Sequence, residues 1–406
     1  MATVKPNTSN RHGRGHEAGI SGTALSQVET FDTFGCSVPI TNPKTPDLIT
    51  QQTLPPGMKL VEFERKFFSS QLAMPDGSNV EIWAFEDPRQ ADPEKRFQFP
   101  SAPIVVRQGD LVHTIVKASK NSHTIHHHGI EPTPMNDGVG HTSFEVTGSY
   151  TYQWRATEIG TFFYHCHKNT ALHVEMGMYG ALTVLPKDHE RPDGRFNVFP
   201  QMREDVPIHP DILKFTSFQT RDALRAYDVE ANWVADEMDP RWHKLNHNAG
   251  LCGEDAGLNN FNPKHFLISG VPFHQQGVNK GRPFAPNPKN LELVTTMAKL
   301  GQTVVIRFVH AGYTVLGVDI PNDLEVVVIE DSGRQFGSEH SPYSTPHLAN
   351  NPVSANPLTP ITVTSARRAT TLVRAKVPGT YEFKFRYLHW ITRKELGVAI
   401  TTITFI

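Results

Sequence analysis

From Lys59 onward the chain consists of short runs of β-forming residues, and this pattern limits the folds that it can adopt. Each run is rich in Val, Ile, Phe, Tyr and Thr and is bounded by Gly, Pro, Asp or Asn. The runs of the first half are LVEFERKFF, NVEIWAF, IVVRQGDLVHTIVKAS, SYTYQWRA, GTFFYHCH and GALTVLP. This spacing predicts an antiparallel sandwich or barrel.

A second β-rich block, from His265 to Ile406, repeats the order of elements in the first. QGDLVHTIV leads to GTFFYHCH and GALTV in the first block, and LGQTVVIRF leads to GTYEFKFR and GVAITTI in the second. Two such elements in the same order indicate a duplicated β-sandwich. We therefore predict an all-β fold of two sandwich domains.

The remaining segments set the predicted boundaries. Between the blocks, HPDILKF and TRDALRAYDVEANWVADEM are predicted to form short helices. The predicted organisation is an extended N-terminal arm (1–58), a first domain (59–187), a long irregular connection (188–263) and a second domain (264–406).

Composition excludes several classes of function. With 39 Lys+Arg against 41 Asp+Glu, no charge excess exists to drive nucleic-acid binding. No apolar run approaches the roughly 20 residues of a membrane span, and the first residues show no apolar region of a signal peptide. Three cysteines cannot form a disulfide framework; Cys36 and Cys252 are either paired or free.

Histidines cluster in one part of the chain. Nine of the 21 histidines lie between His113 and His173, within HTIHHHG, HCH and their surroundings. Residues i and i+2 of a strand point to the same side, so His165 and His167 share one side and Cys166 points to the other. In the same way His126 and His128 share a side that His123 does not.

If the two segments pair, each side of the sheet gathers its own set of ligands. The cysteine side holds His123 and Cys166, and downstream His173 and Met178 complete the ligand set of a trigonal His₂Cys copper site with a weak axial thioether. The other side holds only nitrogen donors: His126, His128, His165 and His167. Such a set suits a copper that binds water, oxygen or an oxyanion, and zinc is the alternative metal.

Other histidines of the window have less specific roles. His127 is interpreted as a second-shell or outward-facing residue because it lies next to His128. His113 and His141 are interpreted as structural, with His141 in DGVGH at the rim of the site. In the connection, Trp233, Trp242, His243 and His247 either contribute to a substrate pocket or belong to an interdomain brace, and we favour the brace.

At these residues the sequence resembles the superfamily of multicopper oxidases and copper nitrite reductases. HTIHHHG is similar to the H-x-H-G strand of that superfamily, and GTFFYHCHKNTALHVEMGMYGALTVLP is similar to its type 1 copper element. The resemblance implies two Greek-key cupredoxin domains, copper as the cofactor, and a periplasmic or extracellular location. It also implies a type 1 copper at His123, Cys166, His173 and Met178, and a type 2 or type 3 centre at the four catalytic histidines His126, His128, His165 and His167.

The second block departs from the multicopper oxidase pattern. Multicopper oxidases with two domains complete a trinuclear cluster with histidines from the second domain of a neighbouring subunit. Counting from the repeat glycines, His126 and His128 correspond to Val318 and Ile320, and HCH corresponds to Lys384-Phe385-Arg386. Only His310 and His389 lie near the relevant strands. His389, in RYLHWITRKELG, is the better placed to act as a ligand from a neighbouring subunit.

Three functions follow from this resemblance. The first is a laccase-like oxidase: a small-molecule or metal-ion reductant docks at the exposed edge of the type 1 site, and Cys166 passes single electrons through His165 and His167 to the copper centre that reduces dioxygen. The second is reduction of nitrite to nitric oxide at a copper held by His128, His165 and a neighbour's His389. The third is a non-catalytic copper-binding or electron-transfer protein. The incomplete histidine site also leads us to expect a homo-oligomer, specifically a homotrimer.

Overall fold

The computed structural model describes residues 39–130, 132–251, 255–338, 345–349 and 361–406. Most of the predicted N-terminal arm, together with Cys36 and Cys252, lies outside these described residues. Within them the chain is mainly β-structure with a few short helices, as predicted. None of the helices in the described ranges is long and apolar enough to cross a membrane.

The first sandwich follows the runs identified in the sequence. Its strands are β1 (Pro39–Thr41), β2 (Leu60–Ala73), β3 (Asn79–Glu86), β4 (Ile104–Arg107), β5 (Leu111–His123), β6 (His126–His128), β7 (Glu145–Arg155), β8 (Gly160–His165) and β9 (Tyr179–Leu185). One sheet has the order β1-β7-β5-β2-β3 and the other the order β4-β9-β8-β6. Phe85, Val112 and Phe162 belong to the core that the two sheets enclose.

The second sandwich repeats this arrangement. Its strands, preceded by a ribbon of β10 (Phe196–Asn197) and β11 (Ala226–Tyr227), are β12 (Val229–Met238), β13 (His265–Ile268), β14 (Val271–Pro272), β15 (Thr295–Ala298), β16 (Val304–His310), β17 (Val315–Asp319), β18 (Leu324–Asp331), β19 (Arg334–Gln335), β20 (His347–Leu348), β21 (Ile361–Val363), β22 (Arg368–Ala375), β23 (Gly379–Leu388) and β24 (Glu395–Phe405). One sheet runs β14-β13-β12-β16-β22-β18-β19 with β20 beside β18, and the other runs β15-β24-β23-β17-β21. The duplicated elements match: β8 pairs with β9 as β23 pairs with β24.

The segment that joins the two blocks is only partly helical. Across the described residues the α-helices are α1 (Pro93–Arg96), α2 (Pro134–Asp137), α3 (Thr170–Glu175), α4 (Pro210–Phe215) and α5 (Arg221–Arg225). Of these, α4 and α5 lie in the joining segment. The prediction at HPDILKF agrees with α4, but in TRDALRAYDVEANWVADEM the helix ends at Arg225 and β12 follows. Trp233 of β12 faces the second core, whereas Val234 packs against the first domain. Because both faces of this strand are buried, its sequence lacks the alternation that marks a half-exposed strand.

The two sandwiches pack through the outer face of β8 and β9. Phe163 and Tyr179 of these strands contact Val309 and Ala311 of the second domain. Beside this apolar contact, the buried carboxylate of Glu330 accepts hydrogen bonds from the backbone N–H groups of Thr161 (3.0 Å) and Gly333 (2.8 Å) and from the hydroxyl of Thr370. Glu330 therefore links β8 to the second domain.

Replacing Glu330 by alanine is expected to weaken this junction. The substitution leaves the buried Thr161 N–H and Thr370 hydroxyl without their acceptor, and we expect it to lower the free energy of unfolding by about 2–4 kcal/mol. Urea denaturation followed by tryptophan fluorescence measures this loss. Glu382→Ala is the control, because Glu382 is exposed and pairs with Arg282 at the surface, and it should cost no more than about 0.5 kcal/mol. Equal losses in the two variants would contradict a linking role for Glu330.

Candidate metal centres

Pairing of β6 with β8 brings the two histidine motifs together. His126 lies opposite His165, and His128 lies opposite Phe163. Residues directly opposite each other in an antiparallel pair project to the same side of the sheet. Tyr164 and Cys166 therefore project to the other side, into the core of the first domain.

On the core side, His123, Cys166 and His173 converge. The Cys166 Sγ atom lies 3.8 Å from His123 Nδ1 and 3.2 Å from His173 Nδ1. The ligand atoms of the three residues all lie within 4.8 Å of one another. Burial raises the pKa of the Cys166 thiol to about 11 and holds the pKa of both imidazoles well below the usual range. Two neutral imidazoles and one thiol that a metal can deprotonate form this set, and it fits a copper site.

The backbone around α3 fixes this group. His173 Nε2 lies 3.3 Å from the carbonyl oxygen of His247 and donates to it, which leaves Nδ1 as the ligand atom. The Cys166 N–H donates to the carbonyl of Met178 at 2.9 Å, so the buried Met178 lies opposite Cys166 on the same side of the sheet. Between α3 and Met178, Gly177 has a φ of +108°, and a Cβ atom there would collide with Phe99.

Aromatic rings enclose the cysteine site. The ring of Phe67 stacks on His123 at 5.1 Å, and the ring of Trp83 meets His173 edge-on at 5.6 Å. His123 is 1% exposed, and Cys166 and His173 are 0% exposed. Both imidazoles are therefore inside the domain, and docking of a reductant near this site stays a prediction.

On the outer side, four imidazoles surround one another. The ring of His126 lies 5.4 Å from His128, 5.2 Å from His165 and 5.3 Å from His167. The ligand atoms of His126, His128 and His165 lie within 4.8 Å of one another, and His167 adjoins this set by ring contacts. Burial lowers the pKa of His128 to about 3, with a further contribution from the charge of Arg368. A neutral His128 imidazole can bind a metal ion without first losing a proton.

The backbone and one carboxylate orient these imidazoles. His126 Nδ1 lies 2.8 Å from the carbonyl oxygen of Asp137 and 3.2 Å from its Oδ1, and His165 Nδ1 lies 2.9 Å from the carbonyl of Cys166. With Nδ1 donating in each ring, Nε2 is the atom free to bind a metal. Orientation of a ligand histidine by a carboxylate is common around metal sites. Sequence reasoning missed Asp137, although it stands in the DGVGH segment that follows the histidines.

The other histidines of the window do not join either group. His127 is fully buried beside Trp154, with Nε2 2.9 Å from Thr114 Oγ1, so the interpretation as an outward-facing residue is wrong. His113 is buried and lies 3.2 Å from Gln153 Oε1. His141 is exposed. Its effect on the histidine group is electrostatic: the pKa of His167 is lowered by burial, then by His126, and to a smaller extent by His141.

The second domain carries an ion pair at the position of the metal ligands. Its β17 pairs with β23 so that Asp319 lies opposite Lys384 and Val318 lies opposite Phe385. The correspondence between the two domains that was counted from the repeat glycines is therefore wrong by one residue. The guanidinium of Arg386 donates to Asp319 Oδ1 at 2.8 Å. Within the described ranges no group of metal-binding side chains lies in this domain.

His310 and His389, the two histidines near the corresponding strands of the second domain, also have other contacts. His310 is buried with Nε2 3.3 Å from Glu237 Oε2 and Nδ1 3.1 Å from the carbonyl of Val363, so both its nitrogens are engaged. His389 Nδ1 accepts from the backbone N–H groups of Ile391 and Thr392. Its ring lines a cavity of about 510 Å³ beside Trp242, and it is not part of the histidine group of its own chain.

The connection contributes one residue that the sequence analysis assigned to a brace. Trp233 and His243 are buried and Trp242 lines the cavity beside His389, whereas His247 lies against the cysteine site. The His247 ring is 4.3 Å from His173 and 5.0 Å from His123. No local sequence signal indicates this contact, since 74 positions separate His247 from His173.

Parts of the chain are similar to known copper proteins. Residues 96–189 match the multicopper oxidase family model. Laccase abr2 of Aspergillus fumigatus is 32% identical over 115 residues, which are 27% of this chain and 19% of that laccase. The copper-containing nitrite reductase of Pseudomonas chlororaphis is 30% identical over 144 residues, 34% of this chain and 36% of that enzyme.

A solved structure extends the likeness to both domains. The blue copper oxidase from Nitrosomonas europaea superposes with a TM-score of 0.54 at 18% identity, covering 86% of each chain. The chain covers about a fifth (19%) of the length of the Aspergillus fumigatus laccase that it matches. The chain therefore has the cupredoxin fold, and its residues 96–189 match the multicopper oxidase family.

Proposed function

We propose that this protein is a laccase-like copper oxidase that takes single electrons from a reducing substrate and delivers them to dioxygen. The observation that carries the proposal is the sharing of one peptide segment by two donor sets. Cys166 belongs to the buried set with His123 and His173, while its neighbour His165 belongs to the set with His126 and His128. One covalent segment therefore connects a soft site to an all-nitrogen site.

The donor atoms support a division of labour between the two sites. When bound, copper would supply one-electron chemistry at the cysteine site and a place for the acceptor at the histidine site. His123, Cys166 and His173 would hold the first ion, with Met178 as the weak axial donor. The Phe67 and Trp83 rings exclude water from this site, and a dry, apolar surrounding is one of the factors that tune the potential of such a centre.

The histidine site is the more accessible of the two. His126 and His128 are half-buried, whereas His165 is buried. A small acceptor can therefore approach from the side of β6, which is the edge strand of its sheet. Asp137 and the Cys166 carbonyl keep the His126 and His165 rings turned so that Nε2 faces the site. His167 adjoins them as the fourth nitrogen donor.

Nitrite reduction is the second candidate. Three imidazoles, those of His126, His128 and His165, form the compact group, which is a donor set for a single ion. A copper-containing nitrite reductase is also similar to about a third of this chain. The presence of His167 beside this group favours the oxidase, because a mononuclear site gives His167 no role.

A neighbouring subunit is part of the proposal. The histidine group is open on one side, and the described part of the second domain offers it no paired histidines from the same chain. We propose that the protein forms a homotrimer, and that His389 of one copy approaches the histidine site of the next.

Copper content and spectra test the two-site proposal directly. Fully loaded protein is expected to bind two or more coppers per chain and to show an intense band at about 600 nm from the Cys–Cu bond together with a type 2 EPR signal or an EPR-silent pair. Cys166→Ser should abolish the band, whereas Met178→Leu should retain it because the axial ligand is weak. A single copper per chain would contradict the oxidase and leave electron transfer as the function.

The choice of acceptor is tested on the same loaded protein. With an added reductant we expect oxygen consumption and no nitric oxide from nitrite under anaerobic conditions. His167→Ala should remove oxygen consumption while the band of the cysteine site persists. Production of nitric oxide by both the parent protein and His167→Ala would instead establish nitrite reduction.

Asp137→Asn tests the orientation of His126. The substitution weakens the acceptor at His126 Nδ1, and loss of such a partner is expected to reduce copper affinity at the histidine site about 10–100-fold. Competition with a copper chelator, read from the type 2 EPR signal, gives this affinity. Asp193→Asn is the matched control, since Asp193 is exposed and pairs with Arg195 away from the site. Unchanged affinity in Asp137→Asn would contradict the orienting role.

Assembly is tested by sedimentation of the copper-loaded protein. We expect a trimer, and we expect His389→Ala to lower the copper bound at the histidine site without changing the band of the cysteine site. His209→Ala, a half-buried histidine beside α4, is the control. A monomer that binds its full copper complement would contradict a site between subunits.

A further inference from the structure

Burial of the cysteine site raises the question of how an external donor makes contact with it. The rings of His123 and His173 are 1% and 0% exposed, so neither imidazole presents an edge to solvent. Phe67, Trp83 and Phe85 surround these rings, and Trp83 is itself only 7% exposed. Contact with solvent must therefore pass through a residue outside the ligand set.

His247 is placed to make that contact. Its ring lies 4.3 Å from the His173 ring and 5.0 Å from the His123 ring, so it touches both imidazoles at once. It also stacks on Trp83 at 5.5 Å with an interplanar angle of 27°. Unlike the rings that it covers, His247 is only half-buried.

The ring and the backbone of His247 make different hydrogen bonds. Nδ1 lies 3.2 Å from Asn248 Oδ1 and donates its proton there, while Nε2 is buried with no hydrogen-bond partner among the described residues. Burial lowers the pKa of His247 to about 4, so the imidazole adds no charge at neutral pH. The carbonyl of the same residue accepts from His173 Nε2. The side chain and the backbone of His247 therefore have separable roles.

We propose that the His247 ring is the point at which an external one-electron donor contacts the cysteine site. This inference rests on the copper assignment proposed above. His123, Cys166 and His173 would hold a copper ion that accepts one electron in each encounter, and the donor would be oxidised by that one electron.

Two substitutions separate the ring from the rest of the residue. His247→Phe keeps a planar aromatic ring in contact with His173 and removes only the nitrogens. His247→Ala removes the ring. Both variants retain the backbone carbonyl that orients His173, so both are expected to bind copper and to show the band and EPR signal of the cysteine site. His209→Ala, which alters a half-buried histidine beside α4 in the connection, is the matched control.

The experiment is anaerobic stopped-flow bleaching of the band by hexaammineruthenium(II). This one-electron donor is larger than the space that removal of the His247 ring opens, so it cannot enter that space in His247→Ala and reach the ligands directly. His247→Ala is expected to slow the second-order bleaching about tenfold, and His247→Phe to stay within about threefold of the parent. His209→Ala should not change the rate. The spectra of the loaded variants, recorded before mixing, provide the readout that does not depend on turnover.

Each result has a distinct meaning. Equal bleaching rates in His247→Ala and the parent would overturn the proposal, as would loss of the band in both His247 variants, because the ring would then serve the copper site itself. If His247→Ala loses the band and His247→Phe keeps it, the bleaching rate of His247→Phe is the test. A rate more than threefold below that of the parent protein would overturn a role for the aromatic ring. Absence of the band in the parent protein would instead overturn the copper assignment, whatever His247 does.

Discussion

The register between β6 and β8 is the constraint on which both metal centres depend. Because His126 lies opposite His165, the alternation of side chains sends His126, His128 and His165 to one side of the sheet and Cys166 to the other. A shift by one residue would exchange the two faces: it would bring histidines into the core and expose the cysteine. The Cys166 carbonyl, which accepts from His165 Nδ1, ties the two sides together at the same point of the chain.

The second domain supports these centres without supplying a ligand from the same chain. Its β16 and β22 cover the outer face of β8, and Glu330 accepts from the Thr161 N–H at the start of that strand. Where the first domain has paired histidines, the second has the Arg386–Asp319 ion pair. In the described residues the metal-binding groups therefore lie in the first sandwich alone. For this reason we propose that a neighbouring subunit adds a ligand to the histidine face.

Local periodicity was sufficient to predict much of this arrangement. The strand runs, the duplicated β-sandwich and the convergence of His123 with Cys166 follow from side-chain alternation, which depends only on neighbours in sequence. Contacts between distant segments could not be read in this way. The contact of Asp137, at the end of α2, with His126 depends on the tertiary structure, and so does the burial of β12 on both faces. Neither feature therefore has a local signal in the sequence. The outward-facing alternative for His127 was wrong because its position next to His128 says nothing about the Thr114 hydroxyl that His127 Nε2 meets in the core.

The most distant of these contacts explains how one sheet can hold two sites with opposite requirements. A centre that only exchanges electrons works best dry, and the cysteine side is sealed by aromatic rings of its own domain. A centre that binds a small acceptor must stay open, and the histidine side lies at the edge strand β6. Sealing the first side has a consequence, since a buried ligand cannot meet its donor directly. The connection between the domains resolves this conflict by laying the neutral His247 ring across His123 and His173, where it closes the site to water while remaining half-exposed itself.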